Sequence, residues 1–156
     1  MHNTWHFVAM QYYGLILNRT YLVAVDESCN EGKVCRGLTA VEAGGGLTRY
    51  ITGQLAVHGD LNDPYSYISD QKLARPHNAD FSLSHSEITG ITYNPKKKWG
   101  MGPYPHDGRI TISTVNGQRE LIILGTQPGK EIAERISEVT QRANDSFKPP
   151  PRSGAA

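Results

Sequence analysis

Apolar residues in this chain fall mostly into short alternating runs, and they take helical spacing in only a few places. The pattern is clearest from Phe81 to Asn144. Phe81 and Leu83 alternate with Ser82 and Ser84, and Ile88, Ile91 and Tyr93 continue an extended stretch bent near Gly90, which predicts one or two strands. Ile110, Ile112 and Thr114 then alternate up to Val115. Asn116-Gly117 suits a tight primed turn and Arg119 to Leu124 returns, the strongest hairpin signal in the chain. After Gly125 the period changes. A helix opens at Gln127-Pro128-Gly129-Lys130-Glu131, with proline in the first turn, and Ile132, Ile136, Val139 and Ala143 recur every three or four residues. That stripe is expected to close one side or end of a sheet assembly.

The first half is less regular. Gly14-Leu15-Ile16-Leu17 and Tyr21 to Val25 flank the polar triplet Asn18-Arg19-Thr20 and predict a β-hairpin turning at the triplet. Trp5 to Met10 is a weaker candidate for an earlier strand, and Asp26 to Lys33 reads as a polar loop. Between Arg36 and Asp60, Leu38, Val41, Leu47, Ile51 and Leu55 take roughly helical spacing, interrupted by Ala43-Gly44-Gly45-Gly46. Each glycine costs a helix about 1 kcal/mol relative to alanine, so a helix breaks or begins there. The run lacks the Gly-Lys-Ser/Thr ending of a phosphate loop and reads as a connection or close-packing site. Asp63-Pro64 opens a short helix with Tyr67, Ile68 and Leu73 inward, and Arg75-Pro76 ends it.

Composition narrows the picture further. The 156 residues fit one domain, and sixteen glycines with nine prolines favour β or α+β structure over long helices. A net charge of +1 provides no overall field to steer the chain onto nucleic acid, so no nucleic-acid partner is expected. The N-terminal residues have neither the basic start nor the apolar run of a signal peptide, and no apolar stretch reaches the roughly 18 residues of a spanning helix. The expectation is a cytoplasmic protein, with peripheral membrane association left open. Cys29 and Cys35 bracket Asn30-Glu31-Gly32-Lys33-Val34, a wider spacing than usual zinc pairs, and read as ordinary thiols. No metal or cofactor is expected.

The order of these elements resembles the pleckstrin-homology-like superfold, in particular its bacterial and GRAM-like branches. The resemblance rests on Gly14 to Val23 as the early hairpin, Phe81 to Ile91 as a strand, polar step and strand, and Gly108 to Ile123 followed by the helix. It implies an α+β, mainly β domain over residues 1–147: bent antiparallel sheets, a C-terminal capping helix and a helical insertion at about 36–78. Residues 148–156 would form a proline-rich tail. Such domains usually bind lipids, peptides or proteins and seldom catalyse, and their exposed strand edges sometimes pair into homo-oligomers.

Lys96-Lys97-Lys98-Trp99 is the best candidate site. Three ammonium groups beside an indole suit an anionic headgroup surface, with the ring at the interface. The competing reading is a solvated loop whose lysines blunt a strand edge and whose tryptophan covers the core. Tyr12, Tyr13, Tyr21, Tyr65 and Tyr67 are candidates for an aromatic pocket between the first hairpin and the insertion, with His85 as its polar member; the alternative is cross-strand core packing. His77, Asp80, His85, His106 and Asp107 match no compact zinc or hydrolase spacing. The expected function is therefore a non-catalytic module binding a protein or an anionic membrane. The alternative is a small-molecule-binding protein or enzyme with a pocket between insertion and sheet.

Overall fold

The computed structural model describes residues 4–13, 17–40, 76–101 and 105–146, with backbone alone over 36–40. Seven strands form one sheet: β1 (Trp5–Tyr13), β2 (Leu17–Val25), β3 (Cys29–Ala40), β4 (Phe81–Ser84), β5 (Ile88–Asn94), β6 (His106–Thr114) and β7 (Gly117–Leu124). Helix α1 (Gly129–Ser146) follows. The strand order is β4-β3-β2-β1-β7-β6-β5, and every neighbouring pair is antiparallel.

That order forces the sheet to curl. In a flat sheet the edge strands β4 and β5 would lie about 29 Å apart at the usual strand spacing. Yet only a three-residue 3-10 turn, His85–Glu87, joins them, and four Cα steps span at most about 15 Å. The edges must approach one another at this corner. The result is a curled antiparallel half-barrel with one C-terminal helix among the described residues, broadly pleckstrin-homology-like in shape.

Side-chain alternation then sorts the residues onto two faces. The concave face buries Phe7 and Ala9 of β1, Tyr21, Val23 and Val25 of β2, Ile110 and Ile112 of β6, and Leu121 and Ile123 of β7. Helix α1 adds Ile132, Ala133 and Ile136. A smaller cluster on the convex face joins Val8, Met10, Ile122 and Leu124 to Met101 from the β5–β6 loop. Because both faces of β7 are covered, Leu121-Ile122-Ile123-Leu124 reads as an uninterrupted apolar run.

The expected β6–β7 hairpin forms and α1 begins one residue after Pro128, but the turn is centred on Val115-Asn116, one residue before the expected Asn116-Gly117, and it is not a primed turn, because neither central residue takes a positive φ. A register shift between Ile88 and Gly90 matches the expected bend. Three further expectations are corrected. Asn18-Arg19-Thr20 is not a turn: it lies inside β2, where bulges on either side of Thr20 bury Asn18 and Thr20. Residues 29–33 are not loop, because β3 begins at Cys29 directly after a turn held by Asp26, whose Oδ1 accepts the Ser28 and Cys29 amides at 2.6 and 2.9 Å. The helix stripe continues from Ile136 to Thr140, with Val139 only partly buried.

The expected helical insertion at 36–78 lies largely outside the described residues. Where its ends are described, residues 36–40 continue β3 and 76–78 lead into the turn before β4. The helix expected over 63–73 and the tail at 148–156 also lie outside them.

Candidate functional site

The β5–β6 loop carries the lysine run. Asn94 Oδ1 accepts the Lys96 amide at 2.9 Å and starts the loop, and His106 Nε2 accepts the Lys98 amide at 3.1 Å and ties its middle to β6. Gly100, at φ +87°, turns the chain back so that Met101 packs onto the convex face. Consequently it is Met101, not Trp99, that covers apolar surface from this loop. Trp99 is 80% exposed, the most exposed large apolar side chain among the described residues.

The three lysines divide into two kinds. Lys98 Nζ lies 2.7 Å from Glu120 Oε1 and 6.0 Å from the centre of the Tyr12 ring, folded onto the convex face. Arg109 reaches the other Glu120 oxygen at 3.4 Å. Lys96 and Lys97 are exposed and make no ion pair among the described residues. Among the described residues the loop therefore presents two ammonium groups without an ion pair and one indole, while its third cation shares Glu120 with Arg109.

Of the aromatic residues expected to share a pocket, Tyr12 is placed apart from Tyr13 and Tyr21, which meet each other. Tyr12 lies on the convex face, where its hydroxyl donates to Met101 Sδ at 3.2 Å and burial raises its phenol. Tyr21 lies on the concave face, fully buried, its hydroxyl bonded to that of Tyr13 and donating to Ala79 O at 3.3 Å. Burial, reinforced by the Tyr13 hydroxyl, pushes the Tyr21 phenol up to about 12. Tyr65 and Tyr67 lie outside the described residues.

His85 sits elsewhere, at the corner that closes the half-barrel. Its Nε2 is 2.9 Å from Asp26 O, and a carbonyl only accepts, so Nε2 carries the proton. In the neutral ring Nδ1 then accepts from the Thr140 hydroxyl at 2.9 Å. One ring thus bonds the β2–β3 turn to α1. His77 Nδ1 accepts the Ala79 amide at 2.9 Å, so the three histidines at 77, 85 and 106 serve three separate backbone or helix contacts. Among the described residues no three His, Cys, Asp or Glu side chains gather to hold a metal.

A groove of about 920 Å³ runs between the C-terminal half of α1, Trp5, the Asp26–Ser28 turn and the His85 corner. Sequence reasoning did not find it, because four distant segments build it and none carries a local motif. Asp26, Glu27 and Glu138 face Arg135 and Arg142 around it, so it favours neither sign of ligand. Arg135 is already stacked on the Trp5 ring, 4.8 Å from its centre. In comparisons with protein-family models, curated proteins and solved structures, nothing matches the chain.

Proposed function

We propose that this chain is a non-catalytic binding module of the pleckstrin-homology-like, GRAM-like kind, docking on an anionic membrane surface through its β5–β6 loop. The observation that carries the reading is Trp99, an exposed indole close in sequence to the ammonium groups of Lys96 and Lys97, which make no ion pair among the described residues. An indole gains from sitting at a headgroup boundary, where its ring is apolar and its N–H finds a partner. Each lysine near an anionic leaflet contributes about 1 kcal/mol, so the pair contributes about 2 kcal/mol, enough for weak and reversible association. The loop is anchored from within by Met101 and Lys98, so it is presented without reorganising the sheet.

The reading is tested by vesicle titration followed through tryptophan emission. The chain has two tryptophans, so the Trp5→Phe variant leaves Trp99 as the sole reporter. Phosphatidylserine vesicles should shift its emission to the blue, with an effect that fades as salt is raised, whereas phosphatidylcholine vesicles should not. Unchanged emission with both lipids removes the membrane reading.

A further inference from the structure

Arg19 and Arg119 come from strands β2 and β7 and meet the same aromatic cluster on the concave face. The Arg19 guanidinium lies over the Tyr13 ring, 4.6 Å from its centre, and the Arg119 guanidinium lies over the Phe81 ring at 3.9 Å. Tyr21 connects the two halves: its ring meets Phe81 edge-on at 5.2 Å and its hydroxyl bonds that of Tyr13. Gly32 makes room for this arrangement, since a Cβ there would fall 2.1 Å from the Phe81 ring.

Among the described residues, neither guanidinium has a counter-charge. The ion pairs among the described residues are made by Lys33, Lys98, Arg109 and Lys130. Arg119 donates through Nη1 to the Gln11 side chain, a neutral acceptor, and Arg19 Nε is buried with no hydrogen-bond partner. The phenols do not supply the missing charge. Tyr21 donates to Ala79 O, so Tyr13 must donate to Tyr21, and both hydroxyl protons are used within the cluster. Burial, helped by the Tyr13 hydroxyl, holds the Tyr21 phenol at about 12, so it stays neutral at physiological pH. Two positive charges therefore share one half-buried neighbourhood, flanked by ring faces and, among the described residues, paired with no carboxylate.

We propose that Arg19 and Arg119 form an oxyanion site at the mouth of the concave face that takes a phosphate group. The guanidinium fork matches a phosphate's oxygens with paired N–H donors. A phosphomonoester carries close to two negative charges near neutral pH, which balances the two arginines. The site is separate from the Lys96–Trp99 loop, which belongs to the convex face, and it stands whether or not that loop binds membranes.

The test is a titration of the full chain with inorganic phosphate against chloride at constant ionic strength, read by NMR at the arginine Nε–H signals. Wild type should show saturable shifts at two arginine signals. Each of Arg19→Gln and Arg119→Gln should weaken binding about tenfold, the scale of one charge-assisted hydrogen bond, and the double variant should abolish it. The Arg119→Lys variant keeps the charge and the cation–π contact but loses the fork; it should fold as wild type and bind more weakly, which keeps the test usable should a glutamine variant fail to fold. A Lys96→Ala/Lys97→Ala variant should bind phosphate as wild type does. A second arm uses phosphatidate vesicles: arginine-dependent binding there without free-phosphate binding would assign the group to a lipid headgroup and still support the site. Absence of arginine-dependent binding in both arms overturns the proposal.

Discussion

The side-chain amide of Gln127 pairs with the backbone of Val8 as a peptide unit would. Its Oε1 accepts the Val8 amide at 2.9 Å and its Nε2 donates to the Val8 carbonyl at 2.8 Å, while also reaching Leu124 O at 2.7 Å. The β1–β7 ladder is short, with Ala9 facing Ile123 and Met10 facing Ile122. Gln127 extends that pairing past the point where β7 ends and the chain turns toward α1. It satisfies backbone groups beside a fully buried residue, where an unpaired N–H or C=O is costly. The Gln127→Ala variant should therefore lose about 2 kcal/mol of unfolding free energy in urea denaturation. Gln127→Glu should lose more at neutral pH, since a carboxylate would face two carbonyl oxygens, and should recover in part under acid. Equal stability of the glutamate variant and wild type at pH 7 would contradict this assignment.

The contact between His85 and Thr140 makes the closing corner testable in the same way. In the neutral ring, Nε2–H toward Asp26 O leaves Nδ1 as the unprotonated nitrogen, accepting from Thr140. Long-range proton–nitrogen NMR should find the Nε2–H tautomer for His85, and Thr140→Val should cost about 1 to 2 kcal/mol by leaving a buried ring nitrogen without its donor. Observation of the Nδ1–H tautomer would refute the geometry.

Asp80 gives stability a dependence on acid. Burial alone would raise its carboxyl, but the Val34 amide at 2.8 Å, the His77 amide at 3.0 Å and Lys33 outweigh burial and hold it below the usual carboxylate range. Asp26 is lowered against the same opposing burial, by the Ser28 hydroxyl and amide and by Cys29. Each group binds its proton more weakly folded than unfolded. The stability each contributes is thus complete above the unfolded value, about pH 4, and is lost as pH falls through the folded value. Asp80→Asn should lower stability at pH 7 by about 2 kcal/mol and flatten the decline between pH 5 and pH 2. A variant whose acid profile parallels wild type would show that Asp80 is not a source of that decline.

What was legible in the sequence was what local chemistry determines. Asn116-Gly117 marks its hairpin to within one residue, though not its turn type, and the helix announces itself by a proline start and a period of three to four residues. Asn18-Arg19-Thr20 misled for the opposite reason: its polarity says turn, yet bulges and tertiary packing bury Asn18 and Thr20 within β2. The corner at His85–Glu87 has only three residues and so no period to read. Thr140 replaces Val139 on the buried stripe because His85 needs a hydroxyl there, a demand visible only when the two elements meet. Of the candidate site, the contiguous run Lys96 to Trp99 was readable. The pairing of Lys98 with Glu120 across 22 residues, and the meeting of Arg19 with Arg119 through Tyr13, Tyr21 and Phe81, depend on strand order.

Gly129 offers a case where the usual helix rule should reverse. Alanine in place of a helical glycine ordinarily stabilises by about 1 kcal/mol. Here a Cβ would lie 2.3 Å from Asp107 O and 2.9 Å from the Tyr93 ring, and the Gly129 amide donates to Asp107 Oδ2 at 2.8 Å. The backbone of β6 cannot withdraw without disturbing the start of the strand. Gly129→Ala should therefore destabilise by about 1 to 3 kcal/mol in thermal or chemical unfolding. A rise in stability would mean that α1 does not approach β6 this closely.

The division among the three lysines leads to the prediction that separates loop binding from loop folding. Lys98 is committed to Glu120 at 2.7 Å with its stem against the Tyr12 face, so truncating it removes a partly exposed ion pair and some packing. Such pairs contribute up to about 1 kcal/mol, and Lys98→Ala should lower stability by no more than that. Because its ammonium is held against Glu120 on the convex face rather than presented with Lys96 and Lys97, its loss should change vesicle affinity less than theirs. Lys96 and Lys97 have the opposite profile: exposed and unpaired among the described residues, they contribute little to folding, and the double alanine variant should unfold as wild type does. Its affinity for phosphatidylserine vesicles should fall about thirtyfold, the equivalent of two lysines at about 1 kcal/mol each. Trp99→Ala should weaken binding at every salt concentration, whereas the lysine variant should converge with wild type as salt rises, because only the Coulombic part is screened. If instead Lys98→Ala weakens binding as much as the Lys96/Lys97 pair, the lysine must leave Glu120 on docking, and the loop would act as a unit that opens at the membrane.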